Sequence, residues 1–593
     1  MRSPDNLWLL ISPGGFGSMR FPSISVSCAS FASFAALFAL LPAQAVAPDR
    51  GVPSTTGLVV STSGIASDIG AAVLHAGGNA VDAAIATAFA LAVTHPSAGN
   101  IGGGGFMVVV PREGEPTTFD YREKAPLLAT PTMYLDSKGD IDGKLTAAGW
   151  LAAGVPGTVR GMDLVHRRFG SKPWRDLVLP AAELAERGFA LPAGLARSLN
   201  AQIDGSMARF PASVAAYGKP GGGKWQAGDN LVLTDLGRTL RLIATEGADV
   251  FYKGAIAEQI VADMAKNGGI VSKADLSAYE AVERAPVVAT FRGYEVLSMP
   301  PPSSGGVAIV QALNILECFE LPVADRFSAS TLHLIIEAKR RAYLDRARHL
   351  GDPDFVEVPV ARLTSKEYAV ELAAGIDRDK ASSSAVLGAD ILTGTVRDER
   401  DETTHFSVID KNGMAVANTY TLEGGFGSHV VVAGAGFLLN NEMGDFNRKP
   451  GLTDVRGTIG TKANVIAPGK RMLSSMTPTI VRKDGRVVLV TGSPGGRTII
   501  NTVLDVVLNV TAYGMNARQA VDAGRMHHAW MPDSVNFETA TVAEAEVVKL
   551  RAMGHDVSQR GRQGDAHSIL VDLATDTAWG ANDRRSSESK AAK

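Results

Sequence analysis

Thr403-Thr404-His405-Phe406-Ser407-Val408 is the stretch on which the reading of this chain turns. It starts where the charge run Arg397-Asp398-Glu399-Arg400-Asp401-Glu402 stops. Residues 378–402 show no period, carry Ser382-Ser383-Ser384, and read as a solvated linker. From Thr404 to Asp410 apolar and polar residues alternate, Asn412-Gly413 is a hairpin turn signal, and Ala415 to Leu422 returns as a partner strand. A linker that ends abruptly on a strand admits two readings. β-branched pairs often open strands, and the acidic run would then only aid solubility. Alternatively the Glu402–Thr403 bond is cut, and Thr403 gains a free α-amine beside its own hydroxyl. Such an amine titrates at about 7.7–8.0 and can act as base for that hydroxyl.

Outward from this point the elements are of both kinds. Ala80 to Leu91 is apolar almost all round and reads as a buried helix. Four glycines, Gly102 to Gly105, read as a tight buried turn before the strand-like Phe106 to Val110. Trp174 to Arg187 is an amphipathic helix. Ser328 to Leu350 is the longest helix, with Arg and Lys gathered toward its end as a helix C-terminus favours. Past the linker, Thr477 to Val481 and Val487 to Val490 flank Asp484-Gly485 as a second hairpin. Thr498 to Tyr513 is a helix apolar on most faces. Ser568 to Leu573 and Thr577 to Gly580 form a last strand pair. Helices dominate early and sheets late, an α+β layered architecture.

Composition narrows the function. Of 593 residues 45% are hydrophobic and 20% charged, which excludes a disordered chain. Lys plus Arg is 58 against 61 acids, so no basic excess exists to neutralise a phosphate backbone, and a nucleic-acid partner is not expected. Met19-Arg20, the apolar Phe31 to Leu41, and small-x-small sites at Ala43-Gln44-Ala45 and Ala45-Val46-Ala47 read as an export signal over residues 1–47, with Met19 a candidate start. The apolar run is too short to span a bilayer, so no stable membrane anchor is expected, and the destination is periplasmic or secreted. Removing Cys28 with the signal leaves Cys318 alone, so no internal disulfide is expected.

The Thr403 segment resembles the start of the small subunit of γ-glutamyltransferases. Six further segments are similar to that family in the right order: Gly77-Gly78-Asn79-Ala80-Val81-Asp82-Ala83-Ala84, Asn100-Ile101-Gly102-Gly103-Gly104-Gly105-Phe106, Asp120-Tyr121-Arg122-Glu123-Lys124-Ala125-Pro126, Asn440-Asn441-Glu442-Met443-Gly444-Asp445-Phe446, Leu473-Ser474-Ser475-Met476-Thr477-Pro478 and Gly492-Ser493-Pro494-Gly495-Gly496. The likeness runs from about Gly57 to Arg585. It implies a four-layer αββα N-terminal-nucleophile hydrolase sandwich, with two stacked antiparallel sheets between helical layers. It also implies self-cleavage before Thr403 into a large subunit, residues 48–402, and a small subunit, residues 403–593, which stay together as a heterodimer. The implied activity is hydrolysis of glutathione and other γ-glutamyl compounds, with transfer of the γ-glutamyl group to water, amino acids or peptides.

The residue chemistry suits that implication. Thr403 is the nucleophile, and Thr421 resembles the family's supporting second threonine. Consecutive N–H groups at Gly495 and Gly496 can receive an oxyanion, because glycine lets backbone approach closely. Arg122 can fork onto the α-carboxylate of a γ-glutamyl group, with Ser474 and Ser475 adding hydroxyl donors. Glu442 and Asp445 can hold its ammonium. Taken singly, Arg122 also reads as a surface ion pair with Glu123, Ser474-Ser475 as a turn, and Gly495-Gly496 as a plain loop.

Some positions depart from the family. Glu423 stands where many members have Asn, so three carboxylates could surround the ammonium. Gly444 replaces an acidic residue, and in the lid segment Asn447 to Arg471, Arg456 stands where relatives often place an aromatic. No cofactor or metal is expected. No Gly-Lys-Ser/Thr follows the glycine run, and His527-His528 lacks metal-ligand spacing. His405 is expected to be structural. Two other readings are an amidase similar to cephalosporin acylases, and an uncleaved binding protein.

Overall fold

The computed structural model describes residues 48–394 and 403–593. The export reading of residues 1–47 and the charge run before Thr403 lie outside them. Alternation along each strand sends successive side chains to opposite faces, and here both faces are covered. Phe406 and Val408 join one apolar core while Ile409 joins another. Val416 and Tyr420 divide from Ala415 and Ala417 in the same way, as Val59 does from Leu58 and Val60.

These strands belong to a seven-stranded antiparallel sheet. Its order is Lys590–Ala592, Gly57–Ser61, Thr404–Asp410, Ala415–Thr421, Gly104–Val110, Thr117–Tyr121, Val282–Arg284. A second seven-stranded sheet has the order Val52–Ser54, Thr577–Ala581, Ser568–Asp572, Arg486–Thr491, Thr479–Lys483, Tyr294–Ser298, Val287–Phe291. The core between the sheets contains Val108 and Val110 from the first and Leu297, Ile480, Val490 and Ile569 from the second. The first sheet's outer face packs on helices Ala80–Thr94 and Thr158–Phe169, with Trp174–Arg187 and then Thr234–Glu246 stacked behind Ala80–Thr94. The second's outer face packs on Gly305–Glu317, Ile499–Thr511 and Ala517–Asp522, with Ala329–His349 behind Gly305–Glu317. Three cores separate four layers, which is the expected αββα sandwich. Each buried aliphatic side chain in them contributes about 1.5–3 kcal/mol of transfer free energy.

The buried helix Ala80–Thr94 starts where the Asn79 side chain caps it and the Asp82 carboxylate in turn accepts the Asn79 N–H. All of its residues are buried. No helix among the described residues is long and apolar enough to cross a membrane.

Three expectations need correction. Sheets are more prominent in the early part of the chain than expected: beside the strand already read at Phe106 to Val110, Gly57–Ser61 and Thr117–Tyr121 are strands, each buried throughout. The glycine run is not all turn, because Gly104 and Gly105 open the strand Gly104–Val110. Ser382 to Ser384 is not solvated linker. Ser384 is buried, receives a hydrogen bond from Arg340 and accepts Trp530 Nε1 on its carbonyl at 2.8 Å, while Ser383 caps the short helix Ser384–Leu387. The last turn of helix Ala329–His349 carries Arg346, Arg348 and His349, as expected, while the basic residues of its middle turns have other partners. Lys339, Arg340 and Arg341 are buried in ion pairs with Asp505, Asp533 and Glu337.

Candidate functional site

Strand register builds the nucleophile's surroundings. Thr404 pairs with Tyr420 and Phe406 with Asn418. One step back places Thr403 opposite Thr421, on the face that looks toward the second sheet. Thr403 is buried. Thr421 accepts the Glu423 N–H on Oγ1 at 2.8 Å, and its carbonyl accepts Asn100 Nδ2 at 2.8 Å. His405 shares Thr403's face, but its ring is committed: Nδ1 lies 2.8 Å from Thr419 Oγ1 and Nε2 3.0 Å from Ser407 Oγ. Burial pushes its pKa well down, so it is neutral and structural, as expected.

Thr403 and Thr421 open onto a cavity of about 990 Å³. Arg122, Glu423, Glu442 and Asp445 line it, as do Ser474, Ser475 and Gly496. Gly495 stands directly behind Gly496 as the N-cap of the 3-10 turn Gly496–Thr498, which runs into helix Ile499–Thr511. Gly495 has φ +127°, and a Cβ there would meet Thr498 Oγ1 at 2.5 Å. Its carbonyl accepts the Thr498 N–H at 3.0 Å and hydroxyl at 2.7 Å. N–H groups at such a helix start lack partners within the helix and favour negative charge.

Arg122 is fully buried, so the surface ion-pair reading fails. Its guanidinium is engaged on every side. Nη1 lies 2.6 Å from Glu442 and 3.4 Å from Glu123, Nη2 pairs with Asp445, and Nε donates to Met472 O at 3.3 Å. The open fork expected for a ligand is therefore occupied by acids, because a buried cation must carry its countercharges with it. The Asp445 side chain, 26% exposed, is the partner nearest solvent. Burial pushes Glu123 up to about 8 in spite of Arg122 beside it.

The two departures at residues 423 and 444 are one structural feature. A Cβ on Gly444 would lie 2.6 and 2.8 Å from the Glu423 carboxylate oxygens. Glu423 itself sits at φ +76°, which a non-glycine residue adopts only under constraint. Phe426 and His429, also at positive φ, continue the same strained loop. The loop is anchored where Gly424 N–H donates to Asn441 Oδ1 at 2.9 Å.

Ser474 is buried, accepts the Met476 N–H at 3.1 Å and bridges to Ser303, so it has the local turn chemistry of the plainer reading while lining the cavity. Ser475 Oγ accepts Arg346 Nη2 at 3.1 Å. Sequence reasoning missed Arg346, Arg448, Asn464 and Arg497, which also line the cavity. Arg346 was visible only as part of a basic helix end. His527 is half-buried, with Nδ1 2.6 Å from Asn501 Nδ2, and His528 is buried, its Nδ1 accepting the Trp530 N–H at 3.2 Å.

A family model described as Gamma-glutamyltranspeptidase matches residues 66–593. The Glutathione hydrolase proenzyme of Escherichia coli (strain K12) is 46% identical over 535 residues, covering 90% of this chain and 91% of that protein. The crystal structure of cephalosporin acylase from Bacillus halodurans superposes with TM-score 0.81 at 26% identity, over 94% of this chain and 99% of that one. That of Helicobacter pylori gamma-glutamyltranspeptidase superposes with TM-score 0.55 at 44% identity, over 58% of this chain and 99% of that one. With the threonine pair, the glycine turn and the buried arginine in one cavity, these matches establish that the chain belongs to the gamma-glutamyltranspeptidase family.

Proposed function

We propose that this chain is a self-processing γ-glutamyltransferase that hydrolyses glutathione and related γ-glutamyl compounds through a γ-glutamyl-threonyl intermediate. The carrying observation is the cavity in which Thr403 faces Thr421 beside Gly496 and the acid-ringed Arg122. The similarity to the Escherichia coli relative, a glutathione hydrolase proenzyme, supports both the substrate and the processing. Cleavage before Thr403 frees its α-amine. That amine takes the hydroxyl proton as Oγ attacks the γ-carbonyl, and the Gly495 and Gly496 N–H groups stabilise the oxyanion. The amide nitrogen leaves with the proton, and water or an amino acid or peptide then takes the acyl group by the reverse steps.

The substrate head group enters by exchange of partners. Its α-carboxylate takes the place of Asp445 on Arg122, and its ammonium takes up the released Asp445 together with Glu442 and Glu423. A zwitterion inserted between an arginine and its acid keeps the buried charge balanced. The similarity to a cephalosporin acylase keeps an amidase reading in view. The three carboxylates favour an ammonium-bearing head group over a plain dicarboxylate. The export reading of residues 1–47 would place the activity in the periplasm or outside the cell.

On a denaturing gel the purified protein is expected to run as two bands of about 37 and 20 kDa, from 62.0 kDa over 593 residues. Thr403→Ala should remain one chain and lose γ-glutamyl anilide hydrolysis. A cut at another residue, or faster cleavage of glutaryl anilide than of γ-glutamyl anilide, would overturn the proposal.

A further inference from the structure

One face of helix Ala329–His349 reaches the site at three points, because residues three and four apart on a helix are neighbours. Tyr343 donates its hydroxyl at 2.5 Å to the carbonyl of Arg497, the residue after Gly496. The Ala347 carbonyl accepts the Thr461 hydroxyl of the segment Asn447 to Arg471 at 2.7 Å. Between them Arg346 lines the cavity. Arg346 Nε donates to Ser304 Oγ at 2.9 Å, and Nη2 donates to Ser475 Oγ at 3.1 Å. The buried Ser304 in turn holds the Ser474 carbonyl twice, from its N–H at 2.8 Å and its hydroxyl at 2.6 Å. One guanidinium therefore secures both members of the serine pair, Ser475 directly and Ser474 through Ser304.

These partners fix the sense of the serine hydroxyls. A guanidinium has donors only, so Ser475 Oγ accepts from Arg346 and its own hydrogen is left to donate elsewhere. Ser474 Oγ accepts the Met476 N–H at 3.1 Å, and its hydrogen is likewise directed away from that bond. Among the described residues neither hydrogen is given to an acceptor, and both serines line the cavity. Two adjacent O–H donors suit a carboxylate, and a positive charge behind Ser475 strengthens its bond to an anion. We propose that Arg346 is a positioning residue for the γ-glutamyl head group, holding Ser475 as a donor to its α-carboxylate alongside Arg122. This rests on the γ-glutamyl reading above and adds to it a residue that acts through Ser475.

The test compares γ-glutamyl anilide with 4-aminobutyryl anilide, which lacks only the α-carboxylate. In Arg346→Ala the ratio of kcat/KM for the two should fall about tenfold, as for the loss of one charge-assisted hydrogen bond, with the change in KM for the γ-glutamyl compound. Arg346→Lys should keep an intermediate ratio, because an ammonium retains the charge without the fork that reaches Ser304 and Ser475 together. Where Arg346→Ala does not fold, Arg346→Lys carries the same comparison. Ser475→Ala should lower the ratio by a similar factor, and removing Arg346 in that background should add little. A ratio that neither Arg346 substitution moves overturns the proposal, as does an equal loss on both anilides, which marks a merely structural role. A full further loss in the Ser475→Ala background also overturns it, since Arg346 would then act on the substrate itself. Failure of the wild type to cleave γ-glutamyl anilide instead overturns the γ-glutamyl reading and the role of Arg346 with it.

Discussion

At Gly444 a single missing side chain decides where a carboxylate can go. The Glu423 oxygens occupy the space that a Cβ at 444 would need. Gly444→Asp should therefore raise KM for γ-glutamyl anilide about tenfold and lower Tm, since overpacking costs about 1–3 kcal/mol. Glu423→Asn removes the occupant and suits φ +76° better, because Asn tolerates the left-handed region. The double variant Glu423→Asn/Gly444→Asp should recover most of the loss. Additive effects in a double-mutant cycle would show the positions to be independent. Glu123 gives a pH dependence of known sign. Its folded pKa is raised to about 8 from 4.5, so the native state holds the proton more tightly and stability falls as pH rises between those values. Glu123→Gln should flatten that fall, measured as the difference in Tm between pH 5 and pH 8. An unchanged slope would mean that Glu123 is ionised beside Arg122 throughout.

At the scale of elements, helix Ala329–His349 is held by charge as well as by apolar packing. Burial raises the pKa of Glu337, but Arg340, Ser382 and Arg341 outweigh it and bring it down to about 2. Arg341 Nη1 lies 2.6 Å and Arg340 Nε 3.1 Å from its oxygens. A depressed carboxyl pKa contributes stability above 4.5 that is lost as pH falls toward 2. Glu337→Gln should destabilise by about 3 kcal/mol at pH 7, because two buried guanidinium groups lose a shared countercharge. Urea unfolding should show the gap from wild type narrowing near pH 2–3, and an equal gap at both pH values would count against the ion pair.

For the whole molecule, the two proposed subunits are interleaved and not adjacent. Strand Thr404–Asp410 is hydrogen-bonded to Gly57–Ser61 on one side and Ala415–Thr421 on the other. Val52–Ser54 pairs with Thr577–Ala581, and Thr479–Lys483 with Tyr294–Ser298. A cut before Thr403 would leave every one of these pairings intact. The processed chains should elute together without denaturant at about 57 kDa, given 62.0 kDa over 593 residues, and separate only in urea. Separation in plain buffer at high salt would contradict the shared sheets.

The hairpin at Asn412-Gly413, the helix Trp174–Arg187 and the last strand pair were legible in the sequence, since turn chemistry and amphipathic period are local properties. So were the candidate site residues, because ordered motifs survive in one dimension. Strand Gly57–Ser61 was hidden, for a strand buried on both faces shows no alternation, while Phe106 to Val110 was legible as a strand. Sequence alone also left Ser384 as linker and Arg346 as a helix end, since their partners lie far along the chain. Sequence by itself determined the chemistry available: a threonine where a charged run meets a strand, a glycine pair, an arginine and its acids. Tertiary structure alone decided that Thr403 faces Thr421 through strand register, that Arg122 is buried among three carboxylates, and that Gly444 leaves room for Glu423. The threonine and glutamate relations depend on how one hairpin and the loop after it pack, and Arg122 lies more than three hundred positions from Glu442 and Asp445, a distance that no local pattern encodes.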